Sequence, residues 1–347
     1  MITSSPAVDV LVVSLGSTEG LRTADEELED SLRRAGATIA IARPVPPAAI
    51  RTLMLTDFTW ARAARLATAH MLGQLQRSPP RSIVYSSTTA ALLWPRPGAI
   101  RFDAPAAGNR LGRHGLWQRP LERRRLRRAP LLLPWSEGGL REAPESVRRG
   151  DRTLVLGVPV EPSGPPEPDR DIAAITYAAN PTKKGLDRVL SAWRELRGER
   201  KSDDPGELIV AGVSADELRL AGFGLDDEEG VRVVGALSSE HYRALLRRAR
   251  VFVCAPRRED YGIAQLEALA DGCVLVTTPA VGPYAALPIA RELDPRLVSE
   301  DLLGALRCAL ADPLEGYASR AGEAIVPFSR DALDRMVADE LLPRLLG

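Results

Sequence analysis

Two glutamates, Glu259 and Glu267, stand eight positions apart in the segment REDYGIAQLEALADG, which begins at Arg258. The apolar stretches on either side, residues 251–255 and 274–277, predict buried strands of a parallel sheet. A strand, a glycine-containing turn and a helix form a crevice at the carboxyl end of such a sheet, where α/β proteins bind nucleotides. Because the turn exposes N–H groups and the helix N-terminus attracts negative charge, this segment suits an extended, partly anionic ligand.

A pair of lysines gives a second indication of anion binding. Lys183 and Lys184 lie in the segment NPTKKG, which begins at Asn180, follows an apolar strand and opens a helix. The chain has only three lysines beside 43 arginines, so two adjacent lysines in one loop are unusual. A solvated helix start is the alternative, but there the lysines would oppose the helix dipole. The placement therefore favours a phosphate ligand, whose growing negative charge the lysines would stabilise.

Together these segments resemble the signature of retaining two-domain glycosyltransferases, glycosyltransferase family 4 in particular. In that family a proline-ended strand, a glutamate, an aromatic–glycine pair and a second glutamate recur in this order. The matching residues here are Pro256, Glu259, Tyr261, Gly262 and Glu267. The alternative for the glutamates alone is a helix capping box followed by an exposed glutamate.

The resemblance implies a role for each residue of the glutamate segment. Glu267 would bind ribose hydroxyls of the donor, and Glu259 would lie near the transferred sugar and its developing positive charge. The backbone of Tyr261, Gly262 and Ile263 would hold sugar hydroxyls or phosphate.

The lysine segment matches the family less completely. Lys184 matches the lysine of a Lys-Gly pair that contacts donor phosphate in the family. The Gly-Arg pair that usually precedes that lysine is replaced by Ala178 and Ala179. Either Lys183 or Asn180 substitutes for the arginine, or the leaving group is held more weakly.

The first half of the chain offers weaker candidates for the acceptor side. Gly16 opens a loop, residues 16–20, which borders the diphosphate in the family or is an ordinary strand–helix loop. Asp103 follows a short strand where the family often has a histidine, and it would orient the acceptor hydroxyl or cap the next turn. Arg110 and His114 lie in a long loop, GNRLGRHGLWQRP, that could close over the acceptor.

The strongest run of charge is RPLERRRLRR, from Arg119 to Arg128. It is either a solvated helix end or a patch that faces the acceptor or a membrane. Anionic lipids attract such clusters at about 1 kcal/mol per residue. Transferases of this kind that build glycolipids dock on membranes this way. The run therefore predicts peripheral membrane contact through residues 119–128, and with it a lipid-linked acceptor.

Alternating apolar strands and helical segments predict two doubly wound α/β domains, residues 1–160 and 172–326. The first helix is expected to begin near Thr23, and a proline-rich linker occupies residues 161–171. The resemblance implies the GT-B arrangement, in which two Rossmann-like domains face a central cleft. The first domain would bind the acceptor, the second the nucleotide sugar, and residues 327–347 would return to the first domain.

Composition sets the remaining expectations. Apolar residues make up 45% of the chain and charged residues 27%, as in globular proteins, and no apolar run approaches the ~20 residues of a membrane span. Three cysteines without metal-ligand spacing and an N-terminus without a basic leader favour the cytoplasm, with contact at the inner face of the plasma membrane. Arginine-rich, lysine-poor usage indicates a GC-rich, bacterial genome.

Charge is unevenly distributed between the halves. Residues 1–165 carry a net charge of +8 and the remainder −8, which suggests different partners for each half. Aromatic and basic residues do not interleave as in RNA-binding proteins, so we expect no nucleic-acid partner. No Asp-X-Asp pair suits a metal-dependent transferase, and the arrangement requires neither a metal nor a cofactor.

These observations predict a metal-independent, retaining glycosyltransferase that moves a hexose-type sugar from a nucleoside diphosphate to a carbohydrate, lipid-linked or small-molecule acceptor. Two alternatives remain open. A sugar-nucleotide 2-epimerase would need acid and base residues around the sugar, in which the chain is poor. A catalytically silent sugar-nucleotide-binding protein fits the missing arginine before Lys184 but not the intact glutamate pair.

Overall fold

The computed structural model describes residues 7–46, 53–148, 150–199, 206–224 and 229–347. Residues 1–6, on which the expectation of a leaderless N-terminus partly rests, lie outside this set. The chain divides into two units, one formed by residues up to Pro159 together with Arg330–Gly347, the other by Val160–Ser329. Each unit contains a five-stranded sheet whose neighbouring strands are all parallel, and helices connect the strands. The predicted pair of doubly wound α/β domains is thus confirmed.

In the first unit the strands stand in the order β2-β1-β3-β4-β5. The strands are β1 (Val10–Val13), β2 (Ile39–Ala42), β3 (Ser82–Tyr85), β4 (Ala99–Phe102) and β5 (Leu132–Pro134). The helices before the linker are α1 (Glu19–Arg34), α2 (Leu53–Gln74), α3 (Thr88–Leu92), α4 (Ala106–Asn109), α5 (Gln118–Arg128) and α6 (Glu137–Glu142).

Alternate residues of the central strand enter two separate cores. Leu11 and Val13 of β1 belong to one cluster, and Val10 and Val12 belong to the other. All four side chains are fully buried. Both faces of the sheet are therefore covered, which explains why this strand is a continuous apolar run.

The end of the chain completes one of these cores. It comprises α15 (Arg330–Met336), a π-helical segment (Val337–Leu341) and α16 (Leu342–Leu346). Leu333, Val337 and Leu341 are buried in the cluster that contains Val10 and Val12, and each such side chain contributes about 1.5–3 kcal/mol. Asp334 adds polar contacts to α1, because it accepts hydrogen bonds from Ser31 at 2.6 Å and Arg34 at 2.7 Å. The last residues of the chain are thus an integral part of the first unit.

In the second unit the strand order is β10-β9-β6-β7-β8. The strands are β6 (Ile172–Tyr177), β7 (Leu208–Ala211), β8 (Val231–Gly235), β9 (Ala249–Cys254) and β10 (Val274–Thr277). The helices are α7 (Pro181–Lys184), α8 (Leu186–Glu199), α9 (Ala215–Leu220), α10 (Ser239–Arg248), α11 (Ile263–Ala270), α12 (Ala286–Leu293), α13 (Leu302–Ala311) and α14 (Tyr317–Ile325).

The first helix begins earlier than the sequence suggested. It was expected near Thr23, but α1 begins at Glu19, since the Thr18 hydroxyl accepts a hydrogen bond from the Leu21 N–H at 3.3 Å. Thr18 is thus the N-cap. The expected loop of residues 16–20 is correspondingly shorter, and Gly20 lies in the first helical turn.

Gly185 is needed for the close approach of α7 to the end of β9. Its φ is +66°, and a Cβ at this position would overlap the carbonyl oxygen of Ala255. A left-handed conformation and a backbone so close both exclude a larger side chain. This explains why the lysine pair is followed by glycine.

We expect Gly185→Ala to lower the free energy of unfolding by at least about 2 kcal/mol, because the left-handed backbone and the overlap with Ala255 add. Gly198→Ala is the matched control. It lies on the same helix pair, in α8, with nothing within 4 Å of its added Cβ, and should be neutral or stabilise by up to about 1 kcal/mol. Urea denaturation of both variants measures the difference. Equal losses of stability in the two variants would show that the close approach of α7 to Ala255 does not require glycine.

Candidate active site

The candidate site lies where the strand order of the second unit reverses. From β6 the chain passes to β7 on one side, and it later returns to β9 on the other. The loops that leave the carboxyl ends of β6 and β9 therefore diverge and leave a crevice between them. Residues 178–185 follow β6, and residues 255–262 follow β9. These are the two segments that the sequence analysis selected.

Two ion pairs join these segments. The Lys184 ammonium lies 2.6 Å from Glu259 Oε2, and the Lys183 ammonium lies 2.6 Å from Asp260 Oδ2. A backbone hydrogen bond from the Arg257 N–H to the Lys183 carbonyl, 2.9 Å long, holds the loops together. The structure thus brings together Lys183, Lys184 and Glu259. It adds Asp260, which the sequence analysis did not select.

Glu259 is held from three directions. Its side chain is only 6% exposed, and the Gln265 amide donates a 3.1 Å hydrogen bond to the same Oε2 that Lys184 contacts. Its backbone N–H donates to the Val281 carbonyl at 3.0 Å. The carboxylate is therefore fixed in one orientation, as a group that stabilises charge on a bound sugar must be.

Asp260 carries a second, oppositely charged partner. Arg258 Nε donates to its Oδ1 at 2.7 Å. Burial opposes the charge on Asp260, but Lys183 and Arg258 outweigh this effect and hold the pKa of the carboxyl below its usual value. These two loops thus hold four cations, Lys183, Lys184, Arg257 and Arg258, and two carboxylates, an excess of positive charge that suits an anionic ligand.

The turn before α11 is shaped by Gly262. Its φ is +92°, and a Cβ there would lie 3.0 Å from the Tyr284 ring. Gly262 is the N-cap of α11 and provides no side-chain cap, while Ile263 begins the helix. The contact of the backbone donors at this helix start with a ligand stays a prediction.

Asn180 has a local structural role. Its side-chain oxygen accepts a hydrogen bond from the Lys183 N–H at 3.0 Å and caps α7. Asn180 therefore shapes the lysine turn, and its proposed contact with the donor stays a prediction.

Glu267 lies on α11, away from the lysine pairs. Its side chain is 20% exposed, and its Oε1 lies 3.7 Å from Arg243 Nη1. Burial raises the pKa of Glu267 to about 7, with Arg243 opposing the shift and Asp271 adding to it.

The other four candidate residues lie in the first unit. Gly16 follows β1 with a φ of +54°. Asp103 Oδ1 accepts a hydrogen bond from the Ala104 N–H at 2.7 Å, as expected of a residue that caps the turn. Arg110 Nε forms a 2.7 Å ion pair with Asp57. His114 is exposed in a 3-10 turn, Gly112–Gly115.

One buried acid in this unit escaped the sequence analysis. Glu122 is 4% exposed, and its two carboxyl oxygens accept the Ala106 N–H at 2.9 and 3.1 Å. Burial raises its pKa to about 7, against the opposing hydrogen bonds from Thr88 and Ala106. It anchors the start of α4, between Asp103 and Arg110. The signal in the sequence was a single acidic residue inside a run of arginines.

The arginine run forms α5 and divides into two groups. Arg125 stacks over the Trp94 ring at 5.0 Å and donates to the Leu92 carbonyl at 2.8 Å, so it is structural. Arg123, Arg127 and Arg128 are exposed, together with Arg124. The exposed group is a basic surface, and its membrane role stays a prediction.

No helix in the described ranges is long and apolar enough to cross a membrane. No group of three or more histidine, cysteine, aspartate or glutamate residues among them is arranged to hold a metal ion.

Comparison with known sequences decides the family of this unit. The profile of the family described as "Glycosyl transferases group 1" matches residues 171–306, which span most of Val160–Ser329. The second unit is a glycosyl transferases group 1 domain. The family predicted from the glutamate and lysine segments is thereby confirmed.

One curated relative of this glycosyl transferases group 1 domain is the GDP-mannose:cellobiosyl-diphosphopolyprenol alpha-mannosyltransferase of Xanthomonas oryzae pv. oryzae (strain PXO99A). It is 34% identical over 110 residues, 30% of this chain. The matched part spans 27% of that enzyme's own length.

Solved structures extend the likeness to the whole chain. Sucrose-phosphate synthase from Thermosynechococcus elongatus has a TM-score of 0.74 at 13% identity, covering 98% of this chain and 99% of that one. Anabaena HepE in complex with UDP and glucose has a TM-score of 0.65 at 12% identity, covering 96% and 99%. At these identities the likeness shows the fold, which is the predicted GT-B fold.

The pKa of Glu122 leads to a prediction about stability. The folded-state pKa lies above the ordinary value, so the protein loses stability as pH rises from about 4.5 through about 7. In Glu122→Gln the amide oxygen still accepts the Ala106 N–H and no charge is buried. Between pH 5 and pH 8 the free energy of unfolding of wild type should fall by about 2–3 kcal/mol more than that of the variant. Denaturant titrations at both pH values measure it, and parallel pH profiles would refute it.

Proposed function

We propose that this protein is a retaining glycosyltransferase that moves a sugar from a nucleoside-diphosphate donor to an acceptor. The observation that carries the proposal is the contact between Lys184 and Glu259 at the switch point of the second unit. A cation for a departing phosphate and a carboxylate for a developing sugar cation stand side by side there. The glycosyl transferases group 1 domain places this pair in a setting where such chemistry is expected.

The lysines would hold the donor diphosphate. Without a ligand Lys184 is paired with Glu259, and Lys183, 42% exposed, is paired with Asp260. A bound diphosphate would offer both ammonium groups additional anionic oxygens. Lys183 would supply the second cation, in place of the family's arginine, whose position Ala179 occupies here.

The acidic segment would hold the rest of the donor. Glu259 would face the transferred sugar, and Glu267 would accept hydrogen bonds from the ribose hydroxyls. The backbone N–H groups of Tyr261, Gly262 and Ile263 would contact sugar hydroxyls or phosphate. Gly16, after β1 of the first unit, and Asn180 complete the proposed set of donor-binding residues.

In the proposed reaction the bond between the anomeric carbon and the phosphate oxygen breaks first. The pair of electrons leaves with the diphosphate, whose charge the lysines stabilise, and Glu259 stabilises the positive charge left on the sugar. The acceptor oxygen then bonds to the same face of the anomeric carbon, and its proton passes to the departing diphosphate oxygen. No enzyme nucleophile and no metal ion enter this scheme.

The acceptor is assigned to the first unit, with Asp103, Arg110 and His114 as candidate contacts. Asp103 and Arg110 have structural partners, so they would shape the acceptor site as well as bind the acceptor. The acceptor of the Xanthomonas relative is a diphosphopolyprenol carrying cellobiose. A lipid-linked acceptor, reached from the cytoplasmic face of a membrane, is therefore our preferred class over a free carbohydrate or small molecule.

The donor site is tested with Lys184→Met, since methionine keeps the chain length and removes the charge. We expect nucleoside-diphosphate binding to weaken and sugar transfer to fall at least about 100-fold, the usual effect of deleting one charge-stabilising donor. Binding is measured by calorimetry with UDP, GDP and ADP. Transfer is measured as release of nucleoside diphosphate from the sugar conjugate of the nucleotide that binds.

A neighbouring arginine supplies the control. Arg257 pairs with Asp187 at 2.7 Å on the surface beside the lysine turn, and Arg257→Gln should leave nucleotide binding unchanged. If wild type binds a nucleotide but neither hydrolyses nor transfers its sugar with any acceptor, the silent-homologue alternative replaces the transferase. If no nucleotide binds, the proposed function is wrong.

The basic surface of α5 is tested with a triple variant, Arg123→Gln, Arg127→Gln and Arg128→Gln. At about 1 kcal/mol per arginine, binding to vesicles that contain phosphatidylglycerol should weaken by about 100-fold. Co-sedimentation measures it, and phosphatidylcholine vesicles should bind neither protein. A variant that neutralises the exposed Arg62 and Arg77 serves as control. Equal losses in both variants would mean a general charge effect and no dedicated surface.

A further inference from the structure

Arg243 of α10 is a largely buried cation of the second unit with several partners. Its side chain is 10% exposed. Its Nε and Nη2 donate to the two carboxyl oxygens of Asp271 at 2.6 and 2.8 Å, and Nη2 also donates to the Glu161 carbonyl at 2.7 Å. The remaining nitrogen, Nη1, lies 3.7 Å from Glu267. One guanidinium thus contacts a buried acid, the linker and the predicted ribose-binding residue.

Asp271 fixes this guanidinium in place. It is fully buried at the C-cap of α11, four positions after Glu267. Besides Arg243 it accepts the Ser163 N–H at 2.8 Å and the Ser163 hydroxyl at 3.0 Å. A bidentate pair of this kind sets the plane of the guanidinium as well as its position. The free edge of Arg243 is therefore directed at Glu267 by contacts that no ligand has to form.

We propose that Arg243 is a positioning residue for nucleotide binding, which keeps Glu267 charged and oriented to accept both hydroxyls of the donor ribose. The inference rests on the proposed function, because it assumes that Glu267 binds ribose. Asp271 and Ser163 act behind Arg243 by holding the guanidinium. None of these three residues contacts the donor directly.

The chemical reason is that an ionised carboxylate offers both oxygens as acceptors to the two hydroxyls, whereas a protonated carboxyl uses one oxygen as a donor. Around Glu267 the described titratable neighbours are Arg243 and Tyr242 of α10 and Asp271 of its own helix. Of these described neighbours only Arg243 is a cation. Burial raises the pKa of Glu267 to about 7, and the charge of Arg243 opposes that rise. Without Arg243 the pKa of Glu267 would rise further, which would favour the protonated carboxyl and weaken its contact with ribose.

The same contacts connect the ribose site to the linker. Glu161 and Ser163 belong to the proline-rich segment that precedes β6, and both bond to the Arg243–Asp271 pair. The linker is further tied to α10 by Arg247, which donates to the Ser163 hydroxyl at 2.7 Å. The start of the linker is thus fastened to the helix pair that presents Glu267.

The test compares a ribonucleotide with an analogue that lacks the two hydroxyls. Affinities of wild type, Arg243→Gln and Arg243→Lys are measured by calorimetry from pH 6 to pH 9. The ligands are the nucleoside diphosphate that binds wild type best among UDP, GDP and ADP, and its 2′,3′-dideoxy form. Arg248→Gln is the matched control, because Arg248 lies on the same helix but pairs with the exposed Asp171 at the surface.

We expect Arg243→Gln to weaken ribonucleotide binding about tenfold at pH 7.5, with the pH midpoint of binding moved upward by about one unit. Affinity for the dideoxy form should stay the same. Arg243→Lys should restore part of the loss, and Arg248→Gln should match wild type. In a Glu267→Gln background, Arg243→Gln should cause no further loss.

Equal weakening of both ligands, an unmoved pH midpoint, or a full further loss in the Glu267→Gln background would each overturn the inference and leave Arg243 a purely structural residue. If Arg243→Gln does not fold, Ser163→Ala replaces it. That variant removes the hydroxyl donor to Asp271 and keeps the backbone N–H donor, so it should give a smaller loss, again confined to the ribonucleotide. Failure of the proposed function is distinct, because then wild type itself binds no nucleoside diphosphate.

Discussion

The ion pair between Lys184 and Glu259 joins two loops whose residues stand 75 positions apart in the chain. A carboxylate that is 6% exposed cannot be left without a partner, because water no longer solvates its charge. The reversal of strand order between β6 and β9 brings the partner to it. Gly185 lets the lysine turn approach β9, while Gln265 and Val281 hold Glu259 from other sides. The local structure around the crevice is built to keep this pair together.

Buried acids elsewhere in the chain are stabilised by different means. Glu122 has backbone and hydroxyl donors but no ion pair, and burial raises its pKa to about 7. Asp271 has a bidentate arginine and a serine that donates twice. Glu267 has only one arginine at 3.7 Å, and its pKa also rises to about 7. Glu122 and Glu267 thus share a pKa that burial raises, whereas Asp271 is held by close charged and polar partners.

The sequence predicted the fold well where its signals were local. The bounds of β10, residues 274–277, were predicted correctly because the strand is buried along its whole length, while β9 begins two residues earlier than the predicted 251–255 and ends one residue earlier. The predicted start of α1 was four residues too late, because the Thr18 cap begins the helix at Glu19 despite the glycine at position 20.

The candidate site was predictable only in part. Lys184 and Glu259 were selected from their segments, but the pairing of Lys183 with Asp260 depends on which side chains face each other across two loops. Arg243 and Asp271 stand 28 positions apart on two helices, and no short motif contains both. A local pattern does not report such contacts, because they arise from the packing of α10 against α11. The roles of the individual site residues stay predictions.

The packing of residues 330–347 into the first unit also sets an order of assembly. The chain enters the second unit after Pro159 and leaves it at Ser329, so all of that unit is synthesised before Leu333, Val337 and Leu341 exist. Domains fold as units during synthesis, and the N-terminal one usually completes first. The second unit can therefore fold before Leu333, Val337 and Leu341 are synthesised to complete the core of the first unit.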